Sequence, residues 1–185
     1  MTPSALPALD AYDPFAEGVI ADPYPYYRHL RDHAPAGVTV DVVEGLDAVP
    51  FYNEEIDGET APASATALRE SVAAADHVLA VTPEYNGTMP AVLNNAIDWL
   101  SRPYGQGAIV GKPFAAIGAT PTPYGGKWSH EHARHSATIA GAVVVEGIVV
   151  DESAVAGDPL EDEAAVQRFL GALDALVAHE VEVAA

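Results

Sequence analysis

At 185 residues, 49% apolar and 19% charged, the chain has the size and composition of one folded domain, which excludes wholesale disorder. Eight basic against 27 acidic side chains give a formal charge of −19, a surface that repels nucleic acid and anionic membranes and excludes both as default partners. The absence of cysteine excludes disulfides, thiolate metal sites and thiol redox chemistry, and with no leader-like start and no long apolar run a soluble, cytoplasmic protein is expected.

Residues 1–37 hold six of the 15 prolines together with Tyr12, Tyr24, Tyr26 and Tyr27, and "GVIA" (18–21) is the one strand candidate there. From Val38 onward, Val-rich runs alternate with longer helical patterns. The predicted strands are "VTVDVVE" (38–44), "HVLAVT" (77–82), "PFAAIGA" (113–119) and "VVVEGIVV" (143–150). Helices are predicted over 62–75, 89–101, 127–142 and 159–180. Such alternation argues for an α/β fold with a parallel sheet covered on both faces.

In the helix at 89–101, Val92, Leu93, Ala96, Ile97 and Leu100 recur at helical spacing as one apolar stripe. Thr88 is its expected cap, Pro90 suits its first turn, and Pro103 with Gly105 stops it. The last helix carries Leu160, Ala164, Phe169, Leu170, Leu173 and Leu176. Glu161, Asp162 and Glu163 at its start fit the positive end of the helix dipole better than a catalytic role.

In a doubly wound sheet, ligands bind beyond the carboxyl ends of the strands. Two loops there stand out. "TPEYNG" (82–87) combines a strand-ending proline, a flat Tyr85 and a glycine that admits close backbone approach. "GATPTPYGGKW" (118–128) follows the next strand with hydroxyls, an aromatic and paired glycines. Together they suit a planar heteroaromatic ligand with polar edges, although turn chemistry alone also favours Pro, Gly and Asn.

"VTPEYNGTMPAVLNNAIDWLSRP" (81–103) resembles the signature of the flavodoxin-like NAD(P)H-dependent FMN reductases, a family that includes quinone, chromate and azo-dye reductases. The likeness extends to "GVTVDVVEGLDAVPFYNEE" (37–55) and "GKPFAAIGATPTPYGGKW" (111–128). Covering about residues 37–150 and extending to the final helix, it implies a flavodoxin-like reductase domain over 37–185 after an atypical segment 1–36, with a doubly wound, five-stranded parallel sheet of order 2-1-3-4-5. It further implies FMN as cofactor, NAD(P)H as co-substrate, a small-molecule electron acceptor such as a quinone, and a homodimer or homotetramer. Carried over by residue, Pro83, Glu84, Tyr85, Asn86 and Gly87 would meet the flavin ring, mostly through backbone N–H groups. Thr120, Thr122, Tyr124, Gly125 and Gly126 would border its other side. No side chain is required as acid or base, because the cofactor carries the hydride chemistry.

The family's Ser/Gly/Arg/Asn-rich phosphate loop is missing from residues 1–36. In its place "DAYDPFAEGVIADPYPYYRHLRDHAP" (10–35) resembles the N-terminal segment of bacterial haem-thiolate monooxygenases, whose chemistry needs a cysteine the chain lacks. The first strand of such a sheet is central, and leaving it out would expose unpaired backbone groups. "EGVIAD" (17–22) is therefore expected to fill it as a weak strand, followed by a helix over 24–34. Arg28, beside Tyr26, Tyr27 and His29, is the local candidate to hold a phosphate. Weakly bound FMN is the expected consequence. A flavin-free partner subunit, or a biosynthetic enzyme reusing the emptied pocket, are the competing readings.

His130, His132 and His135 form H-x-H-x-x-H, but on a helix the first two point nearly opposite ways, so no metal site is expected. No nucleophile elbow or Walker loop occurs. Trp99 reads as core or a subunit contact.

Overall fold

The computed structural model describes residues 30–180. The expected first strand (17–22), most of the helix at 24–34, and Arg28 lie outside the described residues; residues 30–32 are helical.

The elements run α1 (Ala63–Ala74), β1 (Val78–Val81), α2 (Ala91–Leu100), β2 (Pro113–Thr120), α3 (Lys127–Ile139), β3 (Val143–Val144), β4 (Asp151–Ser153) and α4 (Glu163–Val177). Single 3-10 turns sit at Leu46–Ala48, Glu54–Ile56 and Pro159–Glu161. All described strand pairings are parallel, with β2 between β1 on one edge and β3 and β4 on the other. Among the described residues the sheet has four strand segments, against the five expected for the whole chain.

The strand period explains the layers. Val78 and Ala80 of β1, with Phe114 and Ala116 of β2, face a core built from α1, α2 and α3. Leu79, Val81, Ala115 and Ile117 face the other way, onto Phe169, Leu173 and Leu176 of α4 and onto Leu30. β2 is thus buried on both faces, and its alanines let Ala133 and Ala137 of α3 pack onto it without exposed surface. Both apolar faces are filled, as the parallel-sheet expectation requires.

Two strand expectations are corrected. Residues 38–44 form no ladder among the described residues. Their burial nevertheless alternates, with Val38, Val40 and Val42 half-buried and Thr39, Asp41 and Val43 exposed. In the expected order this segment's one neighbour would be the first strand, whose candidate lies outside the described residues. Residues 143–150 are not one strand. β2 advances four residues between its pairings with Val144 and Asp151, while its neighbour advances seven. The excess loops out at Glu146-Gly147, where the Ile148 N–H donates to the Val145 carbonyl at 3.1 Å. Arg134 of α3 donates to the Ala116 carbonyl at 3.3 Å, alongside this gap in the ladder.

α2 also departs from expectation in detail. Pro90 is its N-cap, with no side-chain cap, and Val92 is exposed. Its buried stripe is rotated toward Asn95 and Trp99, because both bind the backbone of the preceding loop. Asn95 accepts from the Tyr52 N–H at 2.8 Å and donates to the Val49 and Pro50 carbonyls, both at 3.1 Å. In α4, Ala165 and not Ala164 is buried, while Asp162 caps the helix by accepting from the Ala164 N–H as its acidic start foretold.

Arg69 of α1 completes this anchor. It forms a two-point ion pair with Asp57 at 2.7 and 2.9 Å and donates to the Trp99 carbonyl at 2.9 Å. The hydrogen-bonded guanidinium lowers the Asp57 pKa from 3.8 to about 2, burial opposes the shift, and the Gly58 N–H assists it. A depressed carboxylate stabilises the fold above its unfolded pKa and loses that contribution as pH falls through the folded value. The expected contribution is about 2 kcal/mol, complete at neutral pH and lost on acidification from about pH 4 to about pH 2. Denaturation midpoints for wild type and Asp57→Asn should converge across that window; parallel curves would refute the assignment.

Candidate active site at the carboxyl ends of β1 and β2

The first loop leaves β1 at Thr82, whose N–H is still in register with the Ile117 carbonyl at 2.9 Å. Pro83 then ends the ladder. The chain reverses tightly: the Tyr85 N–H donates to the Thr88 carbonyl at 2.9 Å and the Thr88 N–H returns to Tyr85 at 3.1 Å. The two central residues, Asn86 and Gly87, have φ of 54° and 72°. Positive φ at both is what a type I′ turn demands, and Asn-Gly is its preferred pair. Among the described residues, the N–H groups of Asn86 and Gly87 meet no acceptor. Tyr85 stands 61% exposed on this turn.

The second loop follows β2. Thr120 is buried, and its hydroxyl lies 3.0 Å from that of Thr122, which also accepts from the Tyr124 N–H at 3.3 Å. Tyr124 is exposed and its ring meets that of Trp128 at 4.7 Å. Gly125 and Gly126 are buried. A Cβ on Gly125 would lie 2.2 Å from the Asp151 carbonyl oxygen, and one on Gly126 2.9 Å from the His130 ring, so both glycines admit the chain's own atoms.

Glu84 joins the two loops. Its carboxylate accepts from the Trp128 and Ser129 N–H groups at 3.0 and 3.2 Å, in the first turn of α3 where the helix dipole favours an anion. Ser129 in turn donates to the Pro83 carbonyl at 2.7 Å. The rim is therefore a bonded unit.

Of the ten residues singled out by sequence, Pro83, Tyr85, Asn86 and Tyr124 are exposed on this rim and Gly87 and Thr122 are half-exposed. Glu84 faces the neighbouring loop, and Thr120, Gly125 and Gly126 are buried behind it. Sequence reasoning passed over Trp128, Ser129 and Asp151, whose partners are distant in the chain. Thr88, expected to cap α2, instead lies 2.9 Å from His132 Nδ1. His130 and His132 address different partners, as their helical spacing dictates.

The arrangement offers backbone donors and exposed aromatic faces along one edge of a parallel sheet, which is where a planar ligand with acceptor edges would be gripped. The chain is 41% identical over 109 residues to a quinone reductase of Pseudomonas putida KT2440, covering 59% of this chain and 58% of that protein. It is 42% identical over 105 residues to a 2-hydroxy-1,4-benzoquinone reductase of a Burkholderia species, covering 57% and 56%. These matches thus span less than two thirds of the relatives' length. The fold resembles that of FerB, a flavoenzyme NAD(P)H:(acceptor) oxidoreductase from Paracoccus denitrificans, with a TM-score of 0.66 and 29% identity over 82% of this chain and 85% of that one. Residues 26–156, which include both loops and the whole rim, match the profile of the NADPH-dependent FMN reductases, and the chain belongs to that family.

Proposed function

We propose that the chain is an NAD(P)H-dependent flavin and quinone reductase that holds FMN on the rim formed by residues 82–88 and 118–128. The observation that carries this reading is the pair of turn N–H groups, at Asn86 and Gly87, left without an acceptor among the described residues beside the exposed Tyr85. Bare donors next to a flat aromatic face fit the acceptor-rich edge and the body of an isoalloxazine. Tyr124 and Trp128 supply further aromatic surface across the rim. When bound, FMN supplies the hydride relay between a nicotinamide and a small acceptor. The chain's own residues bind and orient: Glu84 keeps the two loops at a fixed spacing, and no side chain is assigned as acid or base.

The flavin phosphate is the weak point, because residues 1–36 lack the family's phosphate loop. Hydrogen bonds to a charged group are worth about 1.5–3 kcal/mol each, so losing three weakens binding by roughly a thousandfold or more. We assign Arg28 as the partial replacement. The same reading keeps the sheet order 2-1-3-4-5 with 38–44 along its edge; the period-two burial of Val38, Val40 and Val42 supports it. Exposed Val92, Tyr104, Val110 and Ile139 support a homodimer or homotetramer. Among the described residues no helix is long and apolar enough to cross a membrane, and a cytoplasmic location is proposed on the family's pattern.

The test is titration of the purified chain with FMN, followed by NADH or NADPH oxidation with benzoquinone as acceptor. Expected are saturable flavin binding in the micromolar range or weaker and oxidation that rises with added FMN. A chain that ignores millimolar FMN would instead support a flavin-free role.

A further inference from the structure

His130 has no exposed surface, and it is the one ionisable side chain in the buried core among the described residues. Its two ring nitrogens face two acceptors. Nδ1 lies 2.5 Å from Asp151 Oδ1, and Nε2 lies 3.1 Å from the Thr82 carbonyl oxygen. A carbonyl oxygen only accepts, so Nε2 donates. A carboxylate also only accepts, so Nδ1 donates as well. Beside an ionised Asp151, a neutral imidazole, with its one N–H, would turn a lone pair against one of these oxygens; the alternative, a neutral pair in which Asp151 donates to Nδ1, leaves the ring with a single N–H.

Two glycines, Gly118 and Gly126, lie against the ring, and a third, Gly125, lies against the Asp151 backbone. A Cβ on Gly118 would lie 2.9 Å from His130 Nε2 and 2.3 Å from the Thr82 oxygen. On Gly126 it would lie 2.9 Å from the ring, and on Gly125 2.2 Å from the Asp151 backbone carbonyl oxygen. The backbone of β2 and of the second loop is thus shaped around this imidazole. The three elements it joins are the ones that carry the rim: Thr82 starts the first loop, α3 follows the second, and Asp151 opens β4.

We propose that His130 is a positioning residue, a buried imidazolium paired with Asp151 that ties the base of both loops to β4 and so sets the spacing of the rim. The pair is neutral as a whole, which makes its burial tolerable; removing either partner leaves an unpaired charge or an unmet acceptor. The ionisable groups nearby are otherwise engaged: Glu84 bonds the first turn of α3, Arg134 the Ala116 carbonyl, and Glu152 pairs with Arg168.

The test begins without ligand. Nitrogen-resolved NMR of the full chain labelled at histidine, at neutral pH, should show directly bonded protons on both His130 nitrogens; one protonated nitrogen overturns the proposal. In Asp151→Asn the amide can turn its NH2 toward Nδ1, so a neutral ring keeps both hydrogen bonds. That variant should lose one ring proton and bind FMN within about threefold of wild type, whereas Asp151→Ala should raise the FMN Kd about tenfold or more. Equal losses in the two variants, or none in Asp151→Ala, overturn the proposal. The FMN arm rests on the function proposed above. Should wild type not bind FMN, that function fails alone, and the rim is read from the amide resonances of Tyr85 and Thr88. Shifts in Asp151→Ala but not in Asp151→Asn then support the inference, and equal shifts refute it.

Discussion

Replacing Trp99 with alanine is expected to cost about 3–5 kcal/mol of folding stability, which lowers the thermal midpoint by roughly 6–20 °C for a chain of this size. The indole is completely buried, so its removal opens a cavity between α1, α2 and the loop before α1. Three further contacts go with it. Its Nε1–H donates to the Pro50 carbonyl at 2.8 Å, its ring meets Tyr52 edge-on at 5.0 Å, and the Arg69 guanidinium lies 5.0 Å above it. Trp99→Phe separates the terms, because it refills most of the cavity while losing the N–H and should cost about 1–2 kcal/mol. Urea denaturation measures both, and a cost below about 1 kcal/mol for the alanine variant would mean that this corner relaxes freely.

That example shows what the sequence made legible. Periodicity alone located α1, α2, α3, α4, β1 and β2, because each is long enough to bury one consistent stripe or to be buried throughout. It placed the apolar stripe of α2 too far toward Val92, because Asn95 is polar and was left out of a count that scores only apolar residues. Its burial is earned by three backbone partners more than 40 positions away. The break in 143–150 escaped for a related reason: a Val-rich run reads as a strand, and nothing local announces that Arg134 will stand beside an interrupted ladder. The rim itself was legible as composition. Asn86-Gly87 carries its turn type in its own dihedral preferences, whereas the bond from Glu84 to α3 joins residues 44 and 45 positions apart and could be seen only once folded.

Gly125→Ala carries an expected effect of comparable size, and it separates two reasons for a glycine in this loop. By family likeness Gly125 and Gly126 border the flavin; if that contact were the reason for the glycine, alanine would weaken FMN binding and leave the apo fold unchanged. The geometry supplies a different reason. Gly125 has φ of 64°, where a side chain costs about 1–2 kcal/mol, and a Cβ there would sit 2.2 Å from the Asp151 carbonyl oxygen and 2.9 Å from the Glu152 nitrogen. Neither atom can move aside. Both belong to the strand whose pairing carries Asp151 to His130, and the Asp151 and Glu152 positions are held in register with Gly118 and Ala119 of β2. Alanine is therefore expected to destabilise the ligand-free protein by about 3 kcal/mol or more. It should also weaken FMN binding by roughly a hundredfold, because the second loop is pushed off β4. Gly147→Ala is the control: nothing lies within 4 Å of a Cβ there, and a change of no more than about 0.5 kcal/mol is expected. Thermal denaturation without ligand decides between the two reasons: a Gly125→Ala midpoint equal to wild type would return that glycine to the ligand, and a collapse would assign it to the strand behind the rim.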